Sequence, residues 1–195
     1  MLRIVEIEKS FYEKKVVNGF SLELEKGETV CLLGKSGIGK TTILKITAGL
    51  TAPDSGRIIL NGEDVTNAPR HFGFMPQNGR LLPCKTVLQN LKLYGEKNVD
   101  NRMPQELRLE EYLHFYPAQL SGGIQKRLLL ICTLLMKKEV NLLDEPFGAL
   151  DDETAQNVMR FYKKKAQETG LSSIIVTHNK KEAEYLADRL IVLEQ

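Results

Sequence analysis

Cysteine and long apolar runs are scarce in this chain of 195 residues, and neither sign of charge prevails. Its three cysteines, Cys31, Cys84 and Cys132, are odd in number, far apart and outside any Cys-x-x-Cys spacing. That argues against a disulfide scaffold or a cysteine metal site and leaves reduced structural thiols. The longest largely apolar run, Leu128 to Met136, is far too short to span a bilayer. The start, Met1-Leu2-Arg3-Ile4-Val5-Glu6, has no signal-peptide layout, so the chain is expected to be soluble and cytoplasmic. With a net charge of +2 and lysines spread rather than blocked, nucleic acid is not expected as the main partner. No internal repeat or low-complexity segment appears. The length suits one α/β domain, or one such domain with an inserted subdomain, and is enough to bury a sizeable core.

What is present starts with Gly34-Lys35-Ser36-Gly37-Ile38-Gly39-Lys40-Thr41-Thr42, a Gly-x-x-x-x-Gly-Lys-Thr spacing. It follows a compact apolar run, Val30-Cys31-Leu32-Leu33, and precedes a helix-compatible one, Ile43 to Ala48. Strand, loop and helix in that order form the context of a phosphate-binding P-loop. Glycines let successive backbone N–H groups turn inward on phosphate oxygens, and a helix starting near Lys40 adds its positive dipole end. Lys40 is then placed to neutralise the β- and γ-phosphates, and the Thr41 hydroxyl to ligate Mg²⁺.

Along the chain, residues 2–8 and Phe20 to Leu24 alternate apolar with polar and read as half-buried antiparallel strands. Phe11, between them, either packs on the sheet or stacks on a base. Ala52-Pro53-Asp54-Ser55-Gly56 is a turn, Arg57 to Leu60 a strand, and Asn61-Gly62 a hairpin signal. A second antiparallel unit is expected to end in His71 to Gln77. From Asn78 to Tyr116 short helical stretches are broken by prolines, with Thr86 as N-cap of Val87 to Tyr94 and helical spacing over Glu106 to Leu113. Leu120-Ser121-Gly122-Gly123 opens an apolar helix to about Met136; its start is either an ordinary cap or a second anion site. Val140 to Glu145 reads as a buried parallel strand delivering Asp144 and Glu145 to its C-terminal edge, where open α/β sheets bind ligands. A helix from about Asp152 to Thr169 follows. Ser172 to His178 is another buried strand with a histidine at the same edge, Lys180 to Ala187 a helix, and Arg189 to Glu194 a last strand.

Taken together these motifs resemble the ATP-binding cassette (ABC) ATPases over essentially the whole chain. The P-loop, Gln77, the Leu-Ser-Gly-Gly-x-Gln element at Leu120 to Gln125, Leu142-Leu143-Asp144-Glu145-Pro146, the Ala149-Leu150-Asp151 loop and His178 stand in the family's order. The resemblance implies a single nucleotide-binding domain over 1–195. It would be α/β, with a P-loop core built on a mainly parallel sheet, an antiparallel β subdomain (about 1–26 and 56–75) and a helical insert (about 78–135). It implies a head-to-tail dimer of two such chains, each ATP lying between the P-loop of one and Ser121, Gly122 and Gly123 of the other. Phe11 matches the family's adenine-stacking aromatic. Gln77 contacts Mg²⁺, which Asp144 holds together with Thr41; Glu145 is the general base and His178 orients phosphate and water. The implied setting is the inner face of a cell membrane, beside a polytopic permease subunit and a solute-binding protein.

A finer resemblance lies in Arg80 to Asn90, which looks like the corresponding stretch of nitrate, sulfonate and taurine importer ATPases, with Cys84 where those usually carry Trp. Leu81 and Leu82 there are either a docking surface for a membrane subunit or core. The segment Ile124 to Leu128 departs from the usual pattern, and the chain reaches Gln195 soon after the last expected strand, without the C-terminal elements most importer ATPases carry. Two rivals are a soluble ABC ATPase acting as an assembly or mechanical factor, and a P-loop kinase or nucleotide-binding regulator. The second leaves Leu120 to Gly123 unexplained.

Overall fold

The computed structural model describes residues 1–95 and 102–194. Residues 96–101, within the expected helical insert, and residue 195 lie outside that description.

Two sheets organise the chain. Strands β1 (Leu2–Phe11), β2 (Lys14–Leu24), β4 (Ser55–Leu60) and the short β5 (Glu63–Asp64) form an antiparallel sheet in the order β2-β1-β4-β5. Strands β3 (Thr29–Leu33), β6 (Phe72–Met75), β7 (Val140–Asp144), β8 (Ser172–Thr177) and β9 (Arg189–Val192) form a parallel sheet in the order β6-β7-β8-β3-β9. Its interior strands are buried on both faces, as parallel strands covered by helices must be, and the period-two alternation divides their side chains. Val30, Leu32, Val140, Leu142, Ile174 and Val176 face α1 (Lys40–Thr47) and the inner side of the antiparallel sheet. Cys31, Leu143, Ile175 and Met75 face the opposite way, into a core with the remaining helices.

Those helices are α2 (Val87–Tyr94), α3 (Arg102–Glu106), α4 (Gly122–Leu135), α5 (Asp152–Thr169) and α6 (Lys180–Leu186). Thr86 and Gln89 form a capping box that starts α2, Ser121 caps α4, and Asp151 caps α5, which ends at Gly170 with φ +64. Each cap supplies an acceptor for N–H groups that have no partner inside the helix. Among the described residues, no helix is long and apolar enough to cross a membrane.

Two expectations are corrected. The stretch up to Gln77 is not part of an antiparallel unit: β6 pairs in parallel with β7, Phe72 opposite Val140 and Met75 opposite Leu143. With Phe72 and Met75 buried on opposite faces and no charge in Phe72–Met75, the strand gains more from a sheet covered on both sides than from the half-solvated one. The chain therefore crosses from the β4-β5 hairpin to the far edge of the core sheet. Glu106 to Leu113 is not one helix either. α3 ends at Glu106, Arg108 takes φ +52, and a separate 3₁₀ turn occupies Glu110–Tyr112. That break buries both Leu107 and Leu109, which a continuous helix would place about 200° apart.

Candidate functional site

The C-terminal ends of β3, β7 and β8 lie side by side in the sheet, with β6 at the edge next to β7. The loop after each carries one of the expected groups. After β3, the chain turns through Gly37 (φ +82) and Gly39 (φ +108) before α1 begins. Gly39 tolerates no side chain: a Cβ there would stand 2.7 Å from the carbonyl oxygen of Val16. No side chain caps α1, so the positive end of its dipole opens on the loop. Ser36, Gly37, Gly39, Lys40, Thr41 and Thr42 line one side of a pocket of about 230 Å³, and Gln77, Glu145 and Val16 complete its wall. Gly34, Lys35 and Ile38 belong to the same loop without lining that pocket.

Lys40 is 5% exposed, and its ammonium donates to the carbonyl oxygens of Gly34 (2.5 Å) and Lys35 (2.8 Å). Burial lowers its pKa below the usual lysine range, while the carboxylates of Glu145 and Asp144 work the other way. A cation is thus held at the mouth of a loop of N–H groups, which is anion-binding chemistry.

Asp144 is 1% exposed. Its Oδ2 accepts a 2.9 Å hydrogen bond from the Thr41 hydroxyl, whereas its Oδ1 is buried with no protein hydrogen-bond partner. Burial pushes its pKa above the usual carboxylate range, against the Thr41 hydrogen bond. The next residue, Glu145, has φ +47, a costly conformation for a side chain with a Cβ. Its own N–H donates to the Val176 carbonyl (2.9 Å), so the strained residue is held by β8. Its Oε1 stands 2.9 Å from His178 Nδ1. A hydrogen-bond network at the end of β8 flanks that histidine in the chain. Thr177 Oγ1 donates to Glu182 Oε2 (2.7 Å) and accepts from the Asn179 N–H (3.0 Å), and Asn179 caps α6.

The structure therefore brings Gly34 to Thr42, Gln77, Asp144, Glu145 and His178 together at one sheet edge. It does not bring the others to that pocket. Phe11 ends β1, 45% exposed, with the Lys9 ammonium 5.7 Å from its ring centre. Ser121 accepts the Ile124 N–H as an N-cap, and a Cβ on Gly122 would meet nothing within 4 Å; these two are exposed, whereas Gly123 is half-buried, a Cβ there meeting Leu150 Cδ2 at 3.3 Å. Leu81 is core and Leu82 is 42% exposed, dividing the two readings of that pair. Two features were missed. One is the Thr177, Asn179 and Glu182 network. The other is Lys126, whose ammonium donates to the Gln77 carbonyl (2.8 Å); its one sequence signal was the irregular stretch Ile124 to Leu128.

The sequence profile of the ABC transporter family matches residues 17–148. The chain belongs to that family. It is 37% identical, over 100% of its own length, to a sulfate/thiosulfate import ATP-binding protein CysA of Pseudomonas syringae pv. tomato. It is also 37% identical over 100% to a spermidine/putrescine import ATP-binding protein PotA of Pasteurella multocida. A molybdate/tungstate import ATP-binding protein WtpC of Pyrococcus horikoshii is 38% identical over 99%. The chain spans 64%, 56% and 59% of the lengths of these curated relatives. Among solved structures it superposes on the dimeric MJ0796, a bacterial ABC transporter cassette, with a TM-score of 0.87 at 29% identity, covering 99% of this chain and 94% of that one. The ADP- and Pi-bound post-hydrolysis dimer of the same cassette gives 0.87 at 27% identity, covering 100% and 94%. The ABC cassette fold, with one parallel and one antiparallel sheet plus helices, is thereby established for this ABC family member.

Proposed function

We propose that this chain is a nucleotide-binding domain that binds and hydrolyses ATP to ADP and phosphate, and thereby powers an ABC membrane importer. The observation that carries this reading is the 2.9 Å contact between Glu145 and His178 across one pocket from Lys40. The hydrolytic base, its orienting partner and the phosphate cation share one edge. In this reading Lys40 and the loop N–H groups of Gly34 to Thr42 hold the phosphates, and Phe11 stacks on the adenine. Glu145 takes the proton of the attacking water, and the His178 ring, paired with Glu145 through Nδ1, orients the γ-phosphate and that water.

The donor set fits Mg²⁺. The Thr41 hydroxyl and the unpaired, buried Asp144 Oδ1 offer hard oxygens, with Gln77 beside them, and a magnesium ion takes its remaining ligands from phosphates and water. When bound, the ion supplies neutralisation of charge on the β- and γ-phosphate oxygens.

The helix start at Ser121, Gly122 and Gly123, exposed at its first two residues, supports a head-to-tail dimer in which these residues complete a second copy's ATP site. Exposed Leu82 supports docking of a polytopic permease subunit, with a solute-binding protein delivering cargo, at the inner face of the membrane; nucleic acid has no part in it. Within the family we place the chain with the nitrate, sulfonate and taurine type on the stretch Arg80 to Asn90. The domain plan is one cassette with a helical insert at about 78–135. Purified chain should hydrolyse Mg²⁺-ATP, and Lys40→Ala should lose ATP binding at least about tenfold. Affinity capture from membranes should recover a polytopic partner. Recovery of soluble partners alone would favour the assembly-factor rival.

A further inference from the structure

A hollow larger than the phosphate pocket lies at the opposite edge of the parallel sheet. It measures about 570 Å³ and sits where β7 and β8 begin, at Val140 and Ser172, and where α4 and α5 end, at Leu135 and Thr169. That volume falls within the span of small-molecule sites, about 300–1,000 Å³. Its floor is apolar, with Leu60, Leu135, Val140 and Leu171 all buried. Four lysines also line it: Lys26 from the turn before β3, Lys137 and Lys138 from the connection between α4 and β7, and Lys165 from α5. Lys26 and Lys137 are exposed and the other two half-buried, so the stems lie on the wall and the ammonium groups at its rim. Among the described residues, Glu139 is the one carboxylate of the lining.

The other polar groups of this wall are already used inside the chain. Ser172 Oγ accepts from the Gly27 N–H (2.9 Å) and donates to the Glu25 carbonyl (3.2 Å), and Thr169 Oγ1 donates to the Lys165 carbonyl (2.8 Å). Asn61 Nδ2 donates to Glu139 Oε2 (2.7 Å), and Lys165 is paired with Glu106 (3.1 Å) and Glu168 (3.2 Å). The side chains of Lys26 and Lys138, by contrast, make no ion pair or hydrogen bond with any described residue. What the hollow offers a ligand is therefore apolar surface and unmatched ammonium charge.

We infer that this hollow binds a small carboxylate with an apolar body, of which an acyl-chain acid is the simplest member. The chain lies on the leucine floor, and the head sits between Lys26 and Lys138. A sugar or nucleoside is a poor match, because its hydroxyls would be buried against apolar surface without partners. A neutral hydrocarbon would leave the charges unused. The site is separate from the phosphate pocket: β7 runs from Val140 at one to Asp144 at the other, a rise of about 13 Å. The inference therefore stands whether or not the chain hydrolyses ATP. The plainer alternative is that the lysines only offset the negative ends of α4 and α5, and that alternative gives no saturable ligand.

The test is calorimetric titration of the full chain with decanoate, below the concentration at which it forms micelles, with and without ADP. One decanoate should bind per chain, with an affinity that ADP changes by less than about twofold. Octanoate should bind about fivefold or more weakly, since it buries two fewer methylenes. Decanol, which lacks the carboxylate, should bind about tenfold more weakly. Lys26→Gln combined with Lys138→Gln keeps most of each stem and should weaken decanoate about tenfold. Thr169→Trp, at an exposed position of the lining, should fill the hollow and abolish binding, and an unchanged far-ultraviolet circular dichroism spectrum would show that each variant folds. Uptake that does not saturate, equal binding of decanol, displacement by ADP, or undiminished binding in either folded variant would each overturn the inference.

Discussion

The Thr41 hydroxyl donates a 2.9 Å hydrogen bond to one oxygen of Asp144, a residue 103 positions away, and leaves the other oxygen buried without a protein partner. This joins the helix after the phosphate loop to the acidic strand. A buried acceptor left unmet destabilises the folded chain, and so does the positive φ of Glu145 next to it. The site holds these costs together because flanking strands buried on both faces fix its backbone.

Glu145→Gln should lower ATP turnover by about a hundredfold or more, since an amide accepts no proton from water, while ATP affinity stays within a few-fold. With ATP, the variant should migrate as a long-lived dimer in size-exclusion chromatography. Turnover at the parent rate would remove Glu145 from the role of base.

Thiol reactivity should separate the cysteines. Cys31 and Cys132 are buried, and burial pushes both thiols up to about 12, whereas Cys84 is exposed. A thiol reagent at pH 8 should titrate one cysteine in the native chain and three after denaturation. Rapid modification of Cys132 in the folded protein would contradict its packing under α2.

Asp54 staples the turn before β4 to β1, accepting from Lys9 Nζ and the Ser10 N–H, each at 2.7 Å. The Lys9 hydrogen bond is the main reason its pKa lies below the usual carboxylate value. A depressed folded pKa contributes stability that is present above the unfolded pKa and lost as pH falls through the folded one. Asp54→Asn should therefore lower Tm at pH 7, with the difference shrinking below about pH 4. A difference that grew in acid would reverse the sign.

Tyr162 is fully buried, and its hydroxyl lies 2.7 Å from Ser173 Oγ, tying α5 to β8 beneath the site. Tyr162→Phe should cost about 1–2 kcal/mol in denaturant unfolding, because it leaves a buried partner unpaired. ATP affinity should be little changed. An unaltered midpoint would show that Ser173 finds another partner.

Much of this chain was legible before its structure, and the legible parts share a cause. The N-cap at Thr86, the cap at Ser121 and the turn glycines of the phosphate loop are contests among groups a few residues apart. The unbroken apolar run Val30-Cys31-Leu32 announces a strand buried on both faces for the same local reason. By itself, then, the sequence determined most of the elements, the phosphate cradle, and which acids and which histidine end buried strands.

The tertiary structure alone decided which of those ends meet. Whether Phe72–Met75 joins the antiparallel or the parallel sheet depends on the total apolar surface each placement covers, and that sum involves β7, which lies dozens of residues later. The same holds for the contact of Glu145 with His178, and for the bond from Lys126 to the Gln77 carbonyl. Burial rewards contact without regard to separation along the chain, so no local pattern records these pairings.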